Sequence, residues 1–140
     1  MNRTSNTPIL PSGSISILGG VFEGCTCDAL LWYPAKKEDC VALETDLRAV
    51  IGKSFTVCGF GIADYGCESG PGIWIPLAES SLLLGAWPER NRSVDFLLHY
   101  CGDDYVAAIT CIQNLAEFAG AAAIRYSPLT PEHPAHFIKV

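Results

Sequence analysis

Apolar residues recur at three- and four-residue spacing in two stretches, and each stretch predicts an amphipathic helix. In the first, Cys40, Leu43, Leu47, Val50 and Ile51 form the stripe, while Lys37, Glu38, Glu44 and Arg48 can face water. Pro34 precedes it, and Gly52 stands where a helix commonly ends. In the second, Tyr105, Ala108, Ile109, Ile112, Leu115, Ala116 and Ala119 form the stripe. An Asp of Gly102-Asp103-Asp104 supplies its N-cap, and Gly120 closes it.

The other apolar runs are shorter and read as strands. Ser14 to Phe22 alternates loosely and ends at Glu23-Gly24. Phe55 to Ile62 follows the first helix, with Gly59 and Gly61 weakening it or marking a close backbone approach. Gly66 to Gly72 is a loop of three glycines and a proline. Ile73 to Leu77, Leu82 to Trp87 and Ser93 to Tyr100 then follow in quick succession, with Pro76 a blemish in the first. Ala121 to Tyr126 is the last strand. The order is strand, helix, four strands, helix, strand. Consecutive strands joined by short turns favour antiparallel pairing, and two amphipathic helices then cover one face. The expected fold is α+β, a two-layer sandwich of a mainly antiparallel sheet with two helices on one face. The domain is expected over 14–126, between a loose polar tail at 1–13 and a proline-rich tail at 127–140.

Composition narrows the classes. A chain of 140 residues that is 49% hydrophobic and 17% charged fits one domain with a substantial core. No apolar run approaches the roughly 18 residues a membrane span needs, and Met1 to Gly13 lacks the basic-then-apolar layout of a signal peptide. The net charge of −6, with basic residues dense only at Lys36-Lys37 and Arg90-Asn91-Arg92, argues against nucleic acid and is compatible with a cationic small molecule. Seven cysteines without a secretion signal suit a reduced, cytoplasmic protein whose thiols pack as small apolar groups. Cys25-Thr26-Cys27 lacks a second ligand pair, so no metal is expected.

The chemistry concentrates at Glu79-Ser80. An acidic residue followed by serine, at the junction of two apolar runs, is where a self-cutting chain would place its nucleophile. Attack of the Ser80 hydroxyl on the Glu79 carbonyl gives an ester. Loss of the Ser80 α-proton eliminates that ester, and the remaining dehydroalanine hydrolyses to a pyruvoyl group.

Around this bond the chain resembles the prokaryotic-type S-adenosylmethionine decarboxylases. Ala78-Glu79-Ser80 matches the family's self-cleavage site, and Trp87-Pro88-Glu89 follows at the family's spacing. Asp95 and Cys101-Gly102 come next in order, and Gly24-Cys25-Thr26-Cys27-Asp28 is similar to the family's Gly-Cys-Asp after the first strand. The resemblance covers about Ser14 to Tyr126. Two family histidines are replaced, by Ser81 directly after the cleaved serine and by Gly85 before Trp-Pro-Glu.

The resemblance implies a self-derived pyruvoyl cofactor from Ser80 that acts as an electron sink for decarboxylation of S-adenosylmethionine, a step of spermidine synthesis. It implies that Cys101 returns the proton and that Glu89 holds the ribose hydroxyls. His99, the one histidine within the expected core, could approach Ser80 from the next strand. Phe60, Tyr65 and Trp74 are candidate aromatic faces for adenine and a sulfonium, and Ser69 is the counterpart of a family loop serine that assists cleavage. Trp87 is expected as a core anchor, and Asp95 to orient its strand. The family's assembly implies a homodimer of cleaved protomers. Two other readings stand beside this one. The scaffold could decarboxylate another amino acid such as arginine or ornithine, or the chain could be an unprocessed ligand-binding or regulatory homologue.

Overall fold

Alternating apolar and polar positions in the central strands give the sheet one buried and one open face, and all the helices lie on the buried face. The computed structural model describes residues 15–33, 37–63, 70–78, 80–101, 105–129 and 138–139. The elements are β1 (Ile15–Glu23), α1 (Asp28–Leu31), α2 (Lys37–Ile51), β2 (Gly61–Ala63), β3 (Gly72–Leu77), β4 (Ser80–Trp87), β5 (Ser93–Cys101), α3 (Tyr105–Ala119), β6 (Ala123–Leu129) and β7 (Ile138–Lys139). The sheet order is β2-β3-β4-β5-β1-β6-β7, and every neighbouring pair is antiparallel. This is the expected α+β sandwich, with a third, four-residue helix α1 added.

Register explains the core. Leu18, Leu98, Leu82 and Ile75 stand opposite one another across β1, β5, β4 and β3, and none is more than 1% exposed. Phe22 stacks on Phe96 with ring centroids 4.6 Å apart. The helices cover this face with Leu43, Leu47 and Ile51 of α2, Leu30 and Leu31 of α1, and the stripe from Tyr105 to Ala119 of α3. Ala108, Ala116 and Ala119 on that stripe are small enough to bring α3 close to the sheet.

Two connections pin the ends of interior strands to the helices. Gly120 takes a left-handed φ of +67° just past α3. Its N–H donates to Glu117 O at 3.0 Å, and the Ala121 N–H donates to Ala116 O at 3.0 Å, which closes the helix. Thr26 and Cys27 N–H groups both donate to Ala119 O. The turn between β4 and β5 holds Asn91 and Arg92 at φ of 56° and 49°, a conformation costing L-residues roughly 1–2 kcal/mol each. Arg92 offsets this by donating from Nε to Cys25 O at 2.7 Å and pairing through Nη2 with Asp28 at 2.5 Å.

Three features differ from the sequence expectation. Phe55 to Ile62 is not a continuous strand: Val57 bridges Leu77, and the ladder resumes only at Gly61 opposite Trp74, one residue out of step. Pro76, which has no N–H to donate, lies at that break, and a methyl on Gly59 would come within 2.9 Å of its ring. The last strand begins at Ala123, runs on to Leu129 and is flanked by β7. Trp87 is no core anchor; it lies on the open face with Trp74, Leu83 and Leu97. Residues 1–14, Tyr65, Ser69, Glu79, the Gly102–Asp104 cap and 130–137 lie outside the described residues.

Candidate active site

Ser80 is the first residue of β4, three positions after Leu77, which ends β3 and stands opposite it, with only Ala78 and Glu79 between in sequence. Side chains alternate along a strand, so Ser80 shares the face of Leu82, Leu84 and Ala86, toward the helices. It is half-buried. Directly across on β5 is Tyr100, which is 2% exposed.

Ser81 lies on the other, open face, and its opposite number is His99. Directly opposed residues of an antiparallel pair bring their Cβ atoms within about 4.5–5.5 Å. The neighbouring strand therefore brings His99 to Ser81, on the face away from the Ser80 side chain. Cys101 ends β5 two residues on, exposed, on the same open face and one register step beyond the Ser80–Tyr100 pair. It also stands opposite Ile15 of β1. Ser80, Ser81, His99, Tyr100 and Cys101 thus gather at one end of the sheet.

The remaining candidates lie elsewhere. Glu89 is exposed in the turn after β4, at the opposite end of that strand from Ser80. The seven steps from Ser80 to Trp87 alone span roughly 23 Å. Trp74 projects from β3 on the open face, 52% exposed, opposite Leu83. Phe60 packs against the core just before β2. Ser69 and Glu79 lie outside the described residues.

Sequence reasoning missed three features. Asp95 does more than orient its strand: its Oδ2 accepts a 3.1 Å hydrogen bond from Trp87 Nε1. Its carboxylate occupies the space a side chain at Gly85 would need. Arg90 lies over the Trp87 ring, 4.7 Å from the centroid. The third is the pairing of Ser81 with His99. The sequence shows the alternation of each strand but not the register between strands, on which the Asp95 and His99 contacts depend; the Arg90 contact depends on the turn after β4.

The thiols divide by burial. Desolvation raises Cys111 to about 12, and desolvation, reinforced by the nearby Cys27, raises Cys25 to about 11. These two pack as the small apolar groups expected of them, whereas Cys58 and Cys101 are exposed. Among the described residues no cluster of His, Cys, Asp and Glu could hold a metal ion, and no helix is long and apolar enough to cross a membrane.

No protein-family model matches the sequence, and no curated protein matches it. The fold, however, has a counterpart among solved structures. The crystal structure of the adenosylmethionine decarboxylase from Aquifex aeolicus VF5 superimposes with a TM-score of 0.62 over 84% of this chain and 90% of that one, at 14% sequence identity. The chain is therefore similar in fold to an adenosylmethionine decarboxylase.

Proposed function

We propose that this chain is a self-processing decarboxylase that acts on S-adenosylmethionine in polyamine synthesis, and that it breaks its own Glu79–Ser80 peptide. The observation that carries the reading is the place of Ser80. It opens β4 opposite Leu77, the last residue of β3, in a fold similar to that of an adenosylmethionine decarboxylase.

The bond chemistry balances within the chain and one water. The Ser80 oxygen displaces the Ser80 nitrogen from the Glu79 carbonyl, which leaves an ester and a free amine. Loss of the Ser80 α-proton expels Glu79 as a carboxylate. Water then releases the nitrogen as ammonia and leaves a ketone on residue 80. The residues present suit such a group, because the break touches only the Ser80 end of β4 and leaves the β3–β4 and β4–β5 pairs from Ser81 onward in place. A carbonyl there supplies a sink for the electron pair released with carbon dioxide. Cys101, exposed one register step away on the open face, is the proton donor to the substrate's α-carbon in this reading, which requires the substrate to reach round the end of the sheet from residue 80.

Glu89 serves this site only across a pair of protomers, because it lies at the far end of β4 from Ser80 within one chain. The open face, with Trp74, Leu83, Leu97 and Trp87 exposed, is the surface such a homodimer would bury. The same carbonyl chemistry would serve arginine or ornithine, which a panel assay for released carbon dioxide distinguishes.

A second reading is favoured by a specific observation. The Asp95 carboxylate lies over Gly85, where the family places a histidine, and His99 stands on the face away from Ser80. On that reading the chain binds a ligand without cutting itself. Intact mass under denaturing conditions separates the two: cleavage yields residues 1–79 and 80–140, and Ser80→Ala abolishes it. A single full-length chain after prolonged incubation supports the ligand-binding reading.

A further inference from the structure

The turn between β4 and β5, Pro88 to Arg92, carries Glu89 and holds two residues in a conformation that is costly for them. We propose that Arg92 is a positioning residue for Glu89: it fixes the turn so that the Glu89 carboxylate stands where a bound ribose needs it, which rests on the reading of Glu89 as serving the Ser80 site across a pair of protomers.

Local geometry alone does not hold this turn. The Arg90 N–H donates to Trp87 O at 3.0 Å, and the Arg92 N–H to Pro88 O at 3.3 Å. Asn91 and Arg92 take left-handed φ values of 56° and 49°, where glycine is the residue without penalty. A conformation of this kind persists when its surroundings over-determine it. Here the surroundings are the segment after β1. The Gly24 N–H donates to Asn91 O at 3.1 Å, and the Cys25 N–H to Arg92 O at 2.8 Å. The Arg92 side chain returns the contact: Nε donates to Cys25 O at 2.7 Å, and Nη2 pairs with Asp28 Oδ1. The segment is itself anchored, because Cys25 is fully buried and the Thr26 and Cys27 N–H groups both donate to Ala119 O at the end of α3. Glu89 stands three residues before Arg92, so a shift of this anchor reaches its carboxylate.

Two observations separate positioning from plain stability. The Arg92–Asp28 pair is open to water, with side chains 42% and 76% exposed, so its charge attraction contributes little to folding. Its effect is directional. A guanidinium offers two prongs in one plane, here one to a carbonyl and one to a carboxylate, and a lysine ammonium does not reproduce both. The two arginines of the turn are also both engaged away from Glu89. Arg90 lies over the Trp87 ring, 4.7 Å from its centroid, and Arg92 is held by Cys25 and Asp28. Among the described residues Glu89 forms no ion pair, and its exposed carboxylate is left for the hydroxyls of a ligand.

The test measures self-cleavage by intact mass, and decarboxylation of S-adenosylmethionine, in the full-length wild type and its variants. These are Arg92→Lys, Asp28→Ala, Glu89→Gln and the double variant Glu89→Gln, Arg92→Lys. Cleavage is expected at the wild-type rate in all of them, because the turn lies at the end of β4 away from Ser80. Arg92→Lys is expected to raise KM about tenfold with kcat little changed, and the exposed Asp28→Ala to raise it in the same direction. The double variant is expected to match Glu89→Gln alone, since Arg92 acts through that carboxylate. An Arg92→Lys protein with wild-type KM overturns the assignment of Arg92 alone. So do losses that add in the double variant, or slowed cleavage in Arg92→Lys or Asp28→Ala, which would mark a structural role. A Glu89→Gln protein with wild-type KM overturns the reading of Glu89 and the assignment with it. A wild-type chain that stays whole, or is cleaved without decarboxylating S-adenosylmethionine, overturns the proposed function itself and both of these.

Discussion

Cutting the chain between residues 79 and 80 leaves two fragments whose strands interleave. Residues 1–79 contribute β1, β2 and β3, and residues 80–140 contribute β4 to β7. In the sheet, β3 lies against β4, and β1 sits between β5 and β6. Three ladders therefore join the fragments, with six residue pairs between β3 and β4, eight between β1 and β5, and seven between β1 and β6. Separation would also open the core. Leu18, Phe22, Ile73 and Ile75 on one side and Leu82 and Leu98 on the other are each fully buried. At roughly 1.5–3 kcal/mol per side chain, those six alone represent about 9–18 kcal/mol of gross burial. Losing the covalent tether costs an amount of the same order, about 4–15 kcal/mol at a 1 M standard state. The strand ladders and the rest of the core are then the surplus. We therefore expect residues 1–79 and 80–140, co-expressed as separate chains, to co-purify and run as one species in size-exclusion chromatography. Dissociation should coincide with unfolding. The stability of the cut protein should fall by about 1.4 kcal/mol for each tenfold dilution, while that of the uncut chain stays constant. Fragments that elute apart under native conditions would refute the interleaving, as would either fragment unfolding cooperatively alone.

Other perturbations test the parts of the fold that hold the site. Leu98→Ala, at the centre of the row through Leu18, Leu82 and Ile75, should cost about 2–5 kcal/mol in urea denaturation, and a loss below 1 kcal/mol would mean that row is not the core. Gly120→Ala should cost roughly 1–2 kcal/mol for its left-handed φ and more for displacing Thr26, with Gly120→Asn milder; equal losses would contradict the strain argument. The two buried thiols bind their protons more tightly folded than unfolded, so their contribution is complete below pH 9.0 and lost as pH rises toward about 11 for Cys25 and about 12 for Cys111. At pH 10 each should lower stability by roughly 1 kcal/mol, and a Cys25→Ala, Cys111→Ala protein should lose that part of the alkaline decline. In native alkylation Cys58 and Cys101 should react well before Cys25 and Cys111, and the reverse order would place the buried thiols wrongly.

The helices were the most legible part of the sequence, because their signal is local. The spacing of Leu43, Leu47 and Ile51, and of Tyr105, Ala108, Ile112, Leu115, Ala116 and Ala119, marks residues that the structure buries. Gly120 was legible for the same reason, since a C-terminal glycine is read within one turn. Cys111 escaped the stripe because a thiol can be polar or apolar, and its surroundings decide. The strands were legible as strands but not as neighbours. Phe55 to Ile62 failed because its pairing depends on Pro76, some twenty residues away, which cannot extend the ladder. Ser80 and Cys101 were found from motifs, yet only the register reveals that His99 faces Ser81 and that Asp95 folds over Gly85. Trp87 was misread because a large aromatic side chain suggests core, while alternation along β4 puts it on the open face.

The fate of the peptide bond between residues 79 and 80 bears most directly on the account. Freshly purified protein should be denatured and weighed by mass spectrometry beside its Ser80→Ala variant. The account predicts two chains from the first, residues 1–79 and a C-terminal chain one ammonia lighter than residues 80–140 with a free serine, and a single chain from the second. An intact 140-residue chain from both, unchanged after long incubation, would contradict it.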